Sequence, residues 1–293
     1  RRHSNVWSPL LAPALKSVRS VVQHICACVE HVGAILTQPS RSAAMFHVDD
    51  LHSALQSGIS LLSVYVSQPQ QGVATHLEMD MGEVVNTLRY ETLRVLVDVL
   101  WVLLDGSAQE LDLHPNAVST SMKIMSLIRE LIAVKELADA IIQMGFLTRM
   151  LECPVFRHFQ AEVMDSGGGQ GQQWSFRGYD AYGDRRDVHR LWCSALLLIP
   201  GFLNTENTSI STRQLAFGQV LDVVTIYECS FVDLLEAPLQ HHHRFSRASL
   251  METRCAAAVI ASLVKDDQNA QRWRLAKPTQ FEQFIQGLLR VVS

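Results

Sequence analysis

The stretch KELADAIIQMGFLTRMLECPVF, residues 135–156, decides how the rest of the chain is read. Leu137, Ile141 and Ile142 recur at spacings of four and five, which predicts a short helix with one apolar face. Gly145 then supplies the one residue type that enters the left-handed backbone region without a Cβ penalty, where many helices end. FLTRMLECP restarts at once, with Phe146, Leu147, Met150 and Leu151 on one face, and Pro154 stops or kinks it. The prediction is a corner between two packed helices, not a catalytic turn.

Working outward, helical periodicity dominates and the period-two alternation of strands is almost absent. Upstream, a first helix runs from about Ser8 to Thr37, opened by Ser8-Pro9 as a cap followed by a first-turn proline. A second covers roughly Ser42 to Ser67, a third about Met79 to Leu104, and a fourth Asn116 to Val134. Downstream, helices are expected at about Arg185–Asn204, Thr212–Leu235, Ser246–Val264 and Thr279–Val292. In the last, Phe281, Phe284, Ile285, Leu288 and Leu289 form a stripe expected to dock on the preceding helices.

The expected fold class is all-α: about eight to ten helices in antiparallel pairs, stacked as an α-solenoid across residues 1–293. A closed helical bundle is the rival arrangement. Residues 164–187 interrupt the pattern with six of the chain's 15 glycines and no apolar period. They read as a glycine-rich flexible insertion.

The 293 residues are 48% hydrophobic and only 18% charged. So much apolar material has to be shielded by neighbouring helices or by partners. A net charge of -4 leaves no electrostatic footprint for nucleic acid or an anionic membrane. The apolar runs 93–104 and 191–203 contain Arg94, Asp98 and Pro200, fall short of a membrane span and read as core helices. Six scattered cysteines, Cys26, Cys28, Cys153, Cys193, Cys229 and Cys255, read as free thiols of a reducing compartment. The chain opens RRHSNVW, with no methionine and no leader pattern, and reads as a segment of a longer protein.

Each candidate for chemistry meets a simpler reading. SGGGQGQQW, 166–174, lacks the lysine and hydroxyl of a phosphate loop and reads as solvated insertion. In HVDDLH, 47–52, His47 and His52 diverge on a helix, and Asp49 and Asp50 favour a helix start through its dipole. The run His241–His243 reads as incidental loop composition. Cys26 and Cys28, two apart on a helix, face nearly opposite sides and read as buried thiols rather than a redox or metal pair. DRRDVHRLW, 184–192, could meet an acidic partner, but Asp184 and Asp187 offset Arg185, Arg186 and Arg190 in a solvated first turn. His47, Asp50, His189 and His241–His243 are the raw material for a helical enzyme. No catalytic residue, cofactor or metal site is expected.

The corner ADAIIQMGFLTRMLECP, residues 138–154, is similar to the helix-glycine-helix joint of armadillo and HEAT repeats. Its succession into a polar, glycine-containing loop and then DVHRLWCSALLLIPGFL resembles the C-terminal part of the large scaffold nucleoporins of the nuclear pore inner ring, the nucleoporin 188 and nucleoporin 205 group. The resemblance covers roughly residues 120–205. It implies a curved α-solenoid without catalysis at the nuclear pore complex of the nuclear envelope, supporting nucleocytoplasmic transport. It further implies binding of linker nucleoporin segments, weak contacts with phenylalanine-glycine repeats or transport receptors, and no transmembrane segment. A soluble α-solenoid transport receptor or adaptor that binds peptide segments is the alternative.

Overall fold

In a computed structural model, the described residues are 8–37, 48–67, 88, 90–107, 115–153, 186–204, 208–222 and 247–292. Their secondary structure is helical, with no strand among them, so the fold class is all-α. They divide into two compact units, residues 1–102 and 103–293.

In the first unit, α1 (Ser8–Thr37) packs on α2 (Val48–Ser67). Val22, Cys26 and Val29 of α1 and Leu55, Ile59, Leu62 and Val66 of α2 are buried at three- and four-residue spacing. The two helices approach closely at Gly58, where an added Cβ would lie 2.7 Å from a methyl of Val29. Asp49 and Asp50 sit exposed in the first turn of α2, where their charge suits the amino-terminal dipole, as expected. Helix α3 (Tyr90–Ser107) adds Leu93, Leu96, Val97 and Leu100, all buried. Its buried Thr92 donates a hydrogen bond to Glu30 of α1.

One property of α1 went unnoticed in the sequence. Its last 18 residues, Ser20–Thr37, are long and apolar enough to cross a membrane by length and composition alone. In the fold they are two-sided: Val22, Cys26, Val29 and Gly33 are buried, while Val21, His24, Cys28 and His31 are exposed.

The second unit holds α4 (Pro115–Leu131), α5 (Lys135–Gln143), α6 (Phe146–Leu151), α7 (Arg186–Leu196), α8 (Leu198–Leu203) and α9 (Ile210–Asp222). It also holds α10 (Arg247–Lys265), α11 (Asp267–Ala276) and α12 (Pro278–Val292). The predicted corner is present. Gly145 has φ 73° and ψ 19°, in the left-handed region, between α5 and α6. Its N–H closes α5 on the Ile142 carbonyl, and its own carbonyl accepts from Arg149 of α6. Leu137, Ile141 and Ile142 on one arm and Phe146, Leu147, Met150 and Leu151 on the other are buried. Phe146 packs on Phe202 of α8 with ring centroids 6.1 Å apart.

Two features differ from expectation. The helix foreseen over 185–204 breaks at Leu197 into α7 and α8. Pro200 has no N–H for the Leu196 carbonyl, and its ring crowds that carbonyl, so the ladder is interrupted there. Helix α11 was not foreseen, because DQNAQRWRLA is polar almost throughout and buries only Asn269 and Trp273. Its start is fixed instead by Asp266, whose carboxylate accepts from the Gln268 N–H at 3.0 Å. The described residues thus contain twelve helices, not eight to ten.

The carboxy-terminal stripe docks at Phe281, whose ring stands edge-on to Trp273 with centroids 5.4 Å apart. The Trp273 indole also donates to Gln280 at 3.1 Å. Further along α12 Leu289 is exposed, so the stripe is only partly covered. Helices α7 and α8 both pack on α10, and α7 also packs on α4. That arrangement carries three polar side chains of α7 and α10 into the core.

Candidate functional site

The apolar faces of α7 and α10 meet with polar groups between them. On α7, His189, Trp192 and Cys193 share one face through three- and four-residue spacing, and all three are buried. On α10, Glu252 and Cys255 are one turn apart and also buried. His189 Nε2 lies 3.3 Å from Glu252 Oε2, and the Trp192 indole N–H donates to Glu252 Oε1 at 3.2 Å. Both carboxylate oxygens are therefore held from the opposite helix. A buried carboxylate needs such partners, since desolvation otherwise strongly disfavours it.

The thiols complete the cluster. Cys193 Sγ lies 3.7 Å from His189 Nε2. The Cys193 thiol is pushed far above the ordinary thiol range, first by its interaction with Cys255, then by burial and the Glu252 charge. The Cys255 thiol is lowered by its interaction with Cys193, against burial and Glu252, which favour its neutral form.

This geometry is not a nucleophile-base-acid relay. In such a relay the imidazole uses one nitrogen for the nucleophile and the other for the carboxylate. Here Cys193 and Glu252 both address Nε2. With Nε2–H donating to Glu252, the nitrogen has no lone pair left to take the thiol proton. Among the described residues, no three His, Cys, Asp or Glu side chains are grouped to hold a metal ion. The cluster acts as an internal strut that fixes the register of α7 on α10.

His189 is therefore not part of a solvated first turn, which corrects the reading of DRRDVHRLW. Arg190, beside it, is exposed as expected, and the side chains of Arg186 and Asp187 lie outside the described residues. Cys26 and Cys28 do face opposite sides of α1, but Cys28 is exposed rather than buried. His52 is buried on α2, and Asp50 is exposed. His47, Asp184, Arg185, His241–His243, Cys229, Pro154 and the glycine-rich stretch up to 185 lie outside the described residues.

Glu252 and Cys255 were missed as members of a site. The available signal was Glu252 one turn before Cys255, matched by His189 one turn before Cys193. Spacing places each pair on one face, but only the fold puts the faces together.

Comparison with family models, curated proteins and solved structures returned no match.

Proposed function

We propose that this chain is a structural scaffold segment of the nuclear pore inner ring, which binds linker nucleoporin segments and supports nucleocytoplasmic transport. One observation carries the reading: the succession from the Gly145 corner to the His-Arg-Leu-Trp-Cys helix, which resembles the inner-ring scaffold nucleoporins. Gly145 has the left-handed backbone of a helix-glycine-helix joint, with both arms buried. Helices adjacent in the chain also pack on each other, as α1 on α2, α5 on α6 and α11 on α12 do. That pairing supports an armadillo- or HEAT-like solenoid as part of the same proposal. Partner recognition would lay an amphipathic segment into an apolar groove between helix pairs.

The test is co-migration of the purified chain with synthetic linker-nucleoporin segments on size exclusion. Complex formation supports the scaffold. Separate elution of a chain shown by circular dichroism to be helical contradicts it. Binding of a basic localisation peptide or a small GTPase instead favours the transport receptor.

A further inference from the structure

Two pairs in this chain place a cysteine four residues after a histidine on one helix, His24 with Cys28 and His189 with Cys193. The α7 pair shows what that spacing does: Cys193 Sγ comes to 3.7 Å from His189 Nε2. A tetrahedral zinc ion with one nitrogen and one sulfur ligand holds those donor atoms about 3.6 Å apart. The α7 pair is buried and its Nε2 is engaged with Glu252, so it is closed to an ion. The α1 pair is open. His24 and Cys28 are both exposed, and Cys28 is a free thiol. His24 Nδ1 lies 2.9 Å from the Ser20 carbonyl, one turn back along the helix. A carbonyl only accepts, so Nδ1 carries the ring proton and Nε2 keeps its lone pair. The same kind of bond fixes the tautomer and ring orientation of histidines that ligate metals.

We propose that His24 and Cys28 form a zinc-binding site on the exposed face of α1, with His24 Nε2 and the Cys28 thiolate as its two protein ligands. The Cys28 proton passes to water as the metal binds. An imidazole nitrogen and a thiolate suit zinc, whereas magnesium and calcium take oxygen donors. His31 is also exposed, but it is seven positions from His24, about 10 Å along the helix axis, too far to share the ion with it. Cys26 is buried on the other side of α1. Among the described residues no three such side chains are grouped, so the protein supplies a pair and water takes the remaining positions. The ion therefore stays accessible from solvent. The site stands independently of the scaffold reading.

The experiment titrates the whole chain, reduced and stripped with a chelator, with cobalt(II) as a spectroscopic stand-in and then with zinc. The expected result is a saturable thiolate-to-cobalt charge-transfer band that disappears as zinc displaces cobalt. Cys28→Ser abolishes the band. His24→Gln weakens binding on the order of 10-fold or more, since even the loss of an outer partner of a ligand has that effect. His31→Gln leaves it unchanged. A second readout uses the unaltered chain: zinc protects Cys28 from alkylation by iodoacetamide, mapped by mass spectrometry, and a chelator restores the reaction. If a variant fails to fold by circular dichroism, that protection decides alone. Cobalt binding without a thiolate band, as the histidine run 241–243 would give, overturns the proposal. So does a band that survives Cys28→Ser, or unchanged affinity in a folded His24→Gln chain.

Discussion

Trp192 and Glu252 are joined by an indole N–H to carboxylate hydrogen bond of 3.2 Å that crosses from α7 to α10. His189 holds the other carboxylate oxygen, so removing the acid strands two buried donors. We expect Glu252→Ala to destabilise the chain by about 3 kcal/mol. Glu252→Gln, which keeps one acceptor, should lose less. Trp192→Phe removes one bond and should lose about 1 kcal/mol beyond any packing change. Urea denaturation midpoints of the three variants measure this order. A neutral Glu252→Ala would mean that the strut is not formed.

Gly145 supplies a second test, because its surroundings separate strain from crowding. An added Cβ there meets nothing within 4 Å, yet φ is 73°. Gly145→Ala should therefore destabilise by about 1 kcal/mol through backbone strain alone. Gly145→Asn should lose less and Gly145→Val more, in thermal unfolding of each variant. Equal effects for alanine and asparagine would indicate a different backbone at the corner.

Gly58 is the opposite case: close approach, with a neighbour that can be trimmed. Gly58→Ala should destabilise by about 1–3 kcal/mol, because its Cβ collides with the Val29 side chain. Adding Val29→Ala should recover part of that loss, giving a favourable coupling in a double-mutant cycle. Strict additivity of the two substitutions would show that α1 and α2 do not meet there.

The carboxy-terminal helix hangs on an aromatic pair. Trp273 is fully buried and meets Phe281 edge-on. Phe281→Ala removes a contact of about 1 kcal/mol beyond the area it buries. The visible result should be faster proteolysis within α12 while the rest of the chain stays intact. Unchanged cleavage would place the docking of α12 elsewhere, for instance in the bond from the Lys277 ammonium to the Leu221 carbonyl at 2.9 Å.

These relationships differ in how far the sequence reveals them. The corner was legible because glycine between two apolar faces has a local cause, a φ that side chains resist. The core character of 93–104 and 191–203 was legible from apolar density, and Leu93, Leu96, Leu100, Leu191, Ile199 and Phe202 are indeed buried. The break at Leu197 followed from Pro200, which was seen but weighed only against a membrane span. Helix α11 escaped because its formation rests on the Asp266 cap and one buried tryptophan, not on a stripe. The strut escaped for a deeper reason. His189 and Glu252 are 63 positions apart, and no periodicity connects two helices across such a distance.

The most direct measurement of the scaffold account is isothermal titration of the folded chain with synthetic linker-nucleoporin segments at two temperatures. The account predicts saturable one-to-one binding with a negative heat-capacity change, the mark of an apolar face being covered. A helical, monodisperse chain that gives no binding heat with any such segment at either temperature would contradict it.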